Sequence, residues 1–330
     1  MTAFSRRRRF VLLLALAVLF GADPVIADTS ARLKRVVFVG VGDQKLGAEQ
    51  RGKVIKAFAE EGFVNGRDIG LEFVEGIREG EPWPPESEQR AREIVATRPA
   101  VIMAAGDKIH IFRKVTKEIP LVFYYLGRDP VEWGLVESYR YPGGNVTGAG
   151  FPRGEDTFKV MELLKELRPG AKRAGTLVWE DELTNTTSVK YREWQRAAAS
   201  RLGLEFVEIV VPMVADFTVR EQAILRARID LYCGAVSTRQ GRDMLVRERI
   251  PFTGGNIHDG ALVESYASWD ENLANAIAIA AQVLRGANPA NIPVRFPTRY
   301  YTKINLKTAR EMGLAIPPSV RMKADELIDE

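Results

Sequence analysis

The chain has 330 residues, of which 46% are hydrophobic and 27% charged, with 28 Gly and 17 Pro. This ordinary globular composition excludes collagen, extended disorder and low-complexity scaffolds, and the length suits two domains of about 150 residues. One cysteine, Cys233, rules out an intrachain disulfide framework or a multi-cysteine zinc site, and two histidines, His110 and His258, argue against a His-rich metal centre. A formal net charge of +4 and a pI of about 9.1 hint at an anionic partner.

That hint weakens at the N-terminus. Arg6-Arg7-Arg8-Arg9 precedes Phe10 to Phe20, an uncharged run of 11 residues. A bilayer-spanning helix needs about 20 apolar residues, so the run is too short to span. With Val25 and Ala27 at −3 and −1, the segment reads as a cleavable export signal ending after Ala27. The arginine run also fits a loose twin-arginine pattern, so the export route stays open. No cysteine lies near the cleavage site to carry a lipoprotein anchor. The leader holds four of the 47 Lys+Arg and one of the 43 Asp+Glu, Asp23, leaving 43 against 42 and a net of +1. Nothing in that balance asks for nucleic acid.

After the leader, strands and helices alternate. Val36 to Val41 is a continuous apolar, β-branched run, expected of a strand buried on both faces. A helix from about Gly47 to Glu61, with Val54, Ile55, Phe58 and Ala59 on one face, is closed by Gly62. Ile69 to Val74 is the next strand and Glu86 to Arg98 the next helix; strands Val101 to Gly106 and Leu121 to Leu126 flank a helix from Ile109 to Lys117. Four βα units in a row imply a parallel sheet with helices on both faces.

The alternation pauses in turn-rich Pro142 to Gly148, read as a Gly-rich pivot, and then restarts. A helix carrying Phe158, Met161, Leu164 and Leu167 leads to the strand Ala174 to Trp179, and a helix from Val189 to Leu202 to the strand Phe206 to Val211. Helices at Val219 to Arg228 and Met244 to Arg249 lead to strands at Leu231 to Gly234 and Ile250 to Thr253, with a further strand from Val294 to Ile304. The expected fold is α/β, two doubly wound parallel-sheet lobes joined by a hinge.

Catalytic and cofactor signatures mostly fail. Gly40-Val41-Gly42 lacks the third glycine of a dinucleotide fingerprint, and Gly42 with Gly47 has P-loop spacing but Ala48-Glu49 where Lys and Ser/Thr must stand. There is no Gly-x-Ser-x-Gly elbow and no His-Glu-x-x-His. A hydrolytic triad needs His110 or His258 as base, and each reads as a surface or capping residue. Cys233, inside an apolar strand, reads as a small buried hydrophobe.

The strand ends are more informative, because open parallel sheets bind ligands beyond the carboxyl ends of their strands. Those positions are Asp43-Gln44, Gly106-Asp107-Lys108, Gly127-Arg128-Asp129, Glu180-Asp181, Ser237-Thr238 and Gly255-Asn256. They are small, polar or charged, and several open a helix whose N–H groups suit a carboxylate. Loop composition alone explains part of this, so each is equally a cap or turn.

Several motifs carry a resemblance. They are Phe58 to Ile69 (FAEEGFVNGRDI), Ile119-Pro120-Leu121-Val122-Phe123, Asp129-Pro130-Val131 with Gly134-Leu135-Val136, Pro142 to Gly148 (PGGNVTG), and Ile304 to Ala309 with Gly313-Leu314 and Ile316 to Ser319. With these, the stretch from Arg35 to Ile328 resembles the substrate-binding proteins of ABC transporters, in the subgroup of tryptophan- and other aromatic amino-acid-binding proteins. The resemblance implies a type I periplasmic binding protein fold, with a ligand held between two α/β lobes and passed to a membrane permease and its ATPase. It also implies ligand roles for Gly106-Asp107-Lys108, Asp129, Asn185 with Thr186, and Ser237-Thr238, the ligand's carboxylate on hydroxyls and helix N–H groups and its ammonium on an Asp. Asp107-Lys108, Arg128 and Trp179-Glu180-Asp181 are more charged than the family's pattern, which leaves a charged solute open. Tyr124, Tyr125 and Trp179 are candidates to stack on a planar ligand, against the alternative of core packing.

The expectation is thus a monomeric, exported, periplasmic solute-binding protein that closes on its solute around Asp43, Lys108, Asp129, Asn185 and Ser237, with Gln44, Arg128 and Asn256 beside them. It comprises a leader at 1–27, one lobe from 28–147 and 266–290, a second from 148–265, and a tail at 291–330 belonging to either. No catalytic group, cofactor, metal or nucleic acid is expected. A sensor subunit docking to a membrane receptor and, less well supported, an exported hydrolase are the other readings.

Overall fold

A run of apolar, β-branched residues has only one comfortable place, a strand covered on both faces, and the first sheet is built of such runs. In the computed structural model, which describes residues 33–41, 46–75, 77–78, 84–151, 153–184, 186–234, 236, 238–254 and 257–329, it begins with β1 (Lys34–Val39), whose Val36 to Val39 are all buried. The leader read at 1–27, and Asp43, Gln44, Asn185, Ser237 and Asn256, lie outside the described residues. There follow α1 (Ala48–Glu60), β2 (Ile69–Val74), α2 (Pro85–Ala96), β3 (Val101–Ala105), α3 (Ile109–Val115), β4 (Leu121–Leu126) and β5 (Val146–Gly150). The five strands run parallel in the order β2-β1-β3-β4-β5. As expected, Gly62 ends α1: at φ +84° it lets Phe63 N–H reach Phe58 O at 2.8 Å while its own N–H reaches Ala59 O at 2.9 Å.

Pro142 to Gly148 is not simply a pivot. Val146 to Gly150 form the fully buried edge strand β5, anchored where Asn145 Nδ2 donates to Ile119 O at 2.7 Å. Gly148, one of the glycines that suggest a turn, serves close packing instead, since a Cβ there would fall 2.2 Å from Phe123 O.

The second half comprises α4 (Arg153–Leu167), β6 (Arg173–Trp179), α5 (Thr186–Arg201), β7 (Glu205–Val211), α6 (Phe217–Ala227), β8 (Leu231–Tyr232), α7 (Arg239–Arg247) and β9 (Val263–Ala267). The chain then crosses back through α8 (Trp269–Leu284) before finishing with β10 (Tyr300–Asn305), α9 (Leu306–Glu311), α10 (Pro318–Lys323) and β11 (Glu326–Ile328). Parallel β7-β6-β8 is linked to β9-β10-β11 by bridges Tyr232–Phe252 and Thr253–Val263. The strand read at Ile250 to Thr253 is reduced to those bridges, and the one read from Val294 spans only Tyr300–Asn305; Pro251 and Pro297, without N–H groups, weaken pairing at both places. The class is α/β with doubly wound sheets, and β9–β10 is an antiparallel pair within it.

Two clusters sandwich the first sheet. On one face α8, through Ala276, Ile277, Ile279 and Ala280, packs on Val36, Phe38, Val54 and Phe58; on the other Ile94, Ile109 and Phe112 pack on Val37, Val39 and Ile102. Each fully buried Ile, Val or Phe contributes roughly 1.5–3 kcal/mol. A third cluster fills the second half, and the C-terminal tail joins it through Ile304, Ala309, Met312, Val320 and Ile328, whereas Ile292 and Val294 stay with the first sheet.

Candidate functional site

Because β1, β3, β4 and β5 are parallel, their carboxyl ends share one edge. There the structure assembles Gly106, Asp107, Lys108, Arg128 and Asp129. Gly106, at φ +53°, turns the chain from β3 into a 3-10 turn, Gly106–Lys108, that feeds α3. Lys108 is only 2% exposed, and its Nζ donates to Gly40 O at 3.0 Å, tying the exit of β3 to the exit of β1. An ammonium so buried must be hydrogen-bonded to be tolerated. Tyr124 does the same for β4: its hydroxyl donates to Val39 O at 2.7 Å, and burial pushes its pKa well up. Tyr124 is therefore a core residue rather than a stacking platform.

Arg128 is held differently. Its Nε donates to Asp107 Oδ2 at 2.9 Å, and its guanidinium lies 4.9 Å from the centroid of Trp133, which His110 stacks upon at 4.9 Å and 18°. About a quarter of each charged side chain, 29% for Arg128 and 26% for Asp107, still meets solvent. Asp129 builds the next turn, with Oδ1 accepting from Val131 N at 2.9 Å and Glu132 N at 3.0 Å, and Oδ2 from the Tyr139 hydroxyl.

Beside this edge, at the crossovers between the halves, lies a ring cluster. Tyr125, Phe151 and Trp269 meet at centroid distances of 4.7–6.2 Å. Tyr125 stands at φ +54°, where a bulge interrupts the β4–β5 pairing. The buried amide of Asn272 repairs the gap: Oδ1 accepts from Tyr125 N at 2.9 Å and Nδ2 donates to Gly150 O at 2.8 Å. Burial, then the neighbouring Asp270, pushes the Tyr125 phenol up to about 12. Trp269 keeps 45% of its surface exposed. Phe151, Trp269 and Asn272 escaped the sequence reading. The nearest available signal was Ser268-Trp269-Asp270-Glu271, a helix start with an aromatic at its first position; Ser268 does cap α8.

In the second half, β6 runs into a 3-10 turn, Glu180–Leu183, whose Glu182 and Leu183 carbonyls accept from buried Arg192 at 3.0 and 3.3 Å. Thr186 opens α5, and Thr238 caps α7, its Oγ1 accepting from Gly241 N at 3.1 Å. Trp179 carries the Arg220 guanidinium 5.7 Å from its centroid. Cys233 is buried as expected, and burial pushes its thiol up to about 12, so it stays protonated at neutral pH. An ion pair, Lys190–Glu132 at 2.8 Å, joins α5 to the turn after Asp129. Among the described residues no group of three or more His, Cys, Asp or Glu is placed to hold a metal ion, and no helix is long and apolar enough to cross a membrane.

Comparison with known proteins gives this arrangement a context. The profile of a family described as ABC transporter substrate-binding proteins matches residues 37–233. A tyrosine-binding protein of Clostridioides difficile (strain R20291) is 28% identical over 252 residues, which are 73% of this chain and 69% of that protein. Among solved structures, the ABC domain of a Streptococcus pneumoniae protein in complex with L-Trp superposes with a TM-score of 0.65 at 21% identity, covering 90% of this chain and all of that one. The ligand-free, open structure of a Clostridium difficile substrate-binding protein with adhesive properties gives 0.74 at 19%, with the same coverage.

Proposed function

Because the chain belongs to the ABC transporter substrate-binding protein family, we propose that it captures an amino acid with a planar side chain between its two α/β lobes. The observation that carries the reading is on β4 and its exit: Tyr125, in the ring cluster, and Arg128, steadied by Asp107 and Trp133, stand three residues apart on one edge. Rings recognise a planar side chain, and a guanidinium recognises a carboxylate. Asp129 is engaged in its own turn, so Asp107 takes the ligand's ammonium. That the relatives' names include tyrosine binding and an L-Trp complex supports the choice of ligand class.

The protein is exported by the leader at 1–27, works in the periplasm as a monomer, and delivers its solute to a permease and ATPase after the lobes close by hinge motion. Asp43, Gln44, Asn185, Thr186, Ser237, Thr238 and Asn256 complete the site from the loops beyond the other strands.

The test is thermal unfolding and calorimetric titration of the protein purified from its producing cell, against L-tyrosine, L-tryptophan, L-phenylalanine and indole. A ligand at a hundred times its Kd stabilises by about 2.7 kcal/mol, a shift of several degrees. The three amino acids should shift the melt and indole, lacking the carboxylate, should not. A panel without any shift among the amino acids overturns the reading.

A further inference from the structure

Flanking the crossover is a cavity of about 340 Å³, a size that suits a small molecule. It touches the strand-end edge at Asp129 and Phe151, but Arg128, Asp107, Tyr125 and Trp269 take no part in its walls. Its main walls are Phe158 of α4, Trp194 of α5, and the edge-to-face pair Tyr139–Phe296, whose centroids are 5.1 Å apart at 84°. Trp194 lies eight residues into α5, about 12 Å along the axis from its N-terminal end. Ala197 and Ala198, one turn further on, supply the small side chains that leave the space open.

The chemistry of the walls favours a cation. The Arg201 guanidinium already sits 3.7 Å from the Phe158 centroid, with Nη1 3.4 Å from Glu155 Oε1, so the cavity holds a positive group between a ring and a carboxylate within its own wall. Glu155 and Arg201 are each more than half exposed, at 57% and 55%, and are free to re-pair with an incoming group. Among the described lining residues the acidic side chains are Glu155 and Asp129, the latter engaged by its own turn and Tyr139, and the basic one is Arg201. An ammonium on an aromatic body fits both the rings and the exposed Glu155 carboxylate.

We propose that this cavity is a second ligand site, specific for small aromatic amines and separate from the strand-end site. The experiment titrates tryptamine into the protein purified from its producing cell, with Ala197→Trp to fill the cavity and Ala197→Ser to leave it open. Tryptamine should bind saturably, Ala197→Trp should weaken it by about tenfold or more, and Ala197→Ser should bind as the parent does. Glu155→Gln, a change at a surface side chain, should weaken tryptamine by several-fold while leaving neutral 3-methylindole unchanged. Because that pair of ligands reads the charge directly, it decides the matter if the filled variant fails to fold. Absence of saturation at millimolar tryptamine, undiminished binding in a folded Ala197→Trp, or equal losses of both ligands in Glu155→Gln overturns the proposal. So does an equal loss of L-tryptophan affinity in Ala197→Trp, which would merge this cavity with the strand-end site.

Discussion

The two halves carry their strand ends on different sheets. In the first half side chains reach back to the strand termini themselves: Lys108 to Gly40 O, Tyr124 to Val39 O, and Asn272 to both Tyr125 N and Gly150 O. In the second half side chains also reach the strand ends, Glu182 Oε2 accepting from Trp179 N at 3.2 Å and Gln195 Nε2 donating to Cys233 O at 2.6 Å, while Arg192 holds the Glu182 and Leu183 carbonyls and Thr238 the first turn of α7. Its sheet is also less regular, with β8 only two residues long and its neighbour reduced to bridges. One edge is thus carried by a regular five-stranded sheet before any ligand arrives, while the other belongs to a shorter sheet continued through a two-residue strand and isolated bridges. Preorganised groups bind with less ordering cost, so the first half is the fixed anchor of the proposed site and the second the part that adapts.

If that contrast is right, the largest stability losses come from the first edge. Lys108→Ala should cost about 3 kcal/mol, since it strands the Gly40 carbonyl and opens a cavity. Thermal unfolding would record a drop of roughly 6–12 °C. Asn272→Ala should come next at about 2–3 kcal/mol, leaving Tyr125 N–H and Gly150 C=O without their partner at a buried bulge. Amide exchange at Tyr125 should quicken in the same variant. A loss below about 1 kcal/mol for both would erase the distinction between the edges.

The second half contributes a pH limb. Burial raises the Cys233 thiol from 9.0 to about 12 and Tyr232 from 10.0 to about 12. Raised values mean that the folded state holds its protons longer than the unfolded chain. The stabilisation is complete below about pH 9 and is lost as pH rises towards 12. Cys233→Ala should therefore flatten the first part of that decline, from pH 9 to 10, where the thiol contributes more than Tyr232 because its unfolded value lies a unit lower. Melting temperatures at pH 8 and pH 10 test it; equal slopes in parent and variant would show that the thiol is not buried. Thr238→Ala, which removes one cap, should cost less, about 1 kcal/mol by chemical denaturation.

The same contrast explains what could be read in the sequence. Strands buried on both faces announce themselves, so β1, β3 and β4 were legible as unbroken apolar runs, and Gly62 marked the end of α1 because only glycine is at ease there. β5 was not legible: close approach of the β4 backbone selects glycine at 148, and glycine imitates a turn. Nor does sequence reveal which of two neighbouring cations turns inward. Lys108 and Arg128 both come after first-sheet strands, yet one is spent on a carbonyl and the other remains partly in solvent. Asn272 was beyond reach for another reason, its two backbone partners lying 147 and 122 residues away in the chain.

Arg128 gives the sharpest test, because its replacement should hardly affect stability. Its ion pair with Asp107 is partly solvated, and such pairs contribute at most about 1 kcal/mol, so Arg128→Gln should melt within a few degrees of the parent. Binding should respond quite differently. If the guanidinium takes the ligand carboxylate, losing a charge-assisted bond of roughly 1.5–3 kcal/mol weakens an aromatic amino acid by about ten- to a hundredfold. Arg128→Lys should recover only part of it, since an ammonium cannot keep the Asp107 bond, the Trp133 stacking and a forked donor at once. The discriminating control is the ligand's carboxamide, which lacks the anion. Its affinity should be low in the parent and nearly the same in Arg128→Gln, so that the two substitutions, one on the protein and one on the ligand, fail to add. Additive losses would mean that carboxylate and guanidinium never meet, and the anchoring role would pass to the adaptable loops of the second half.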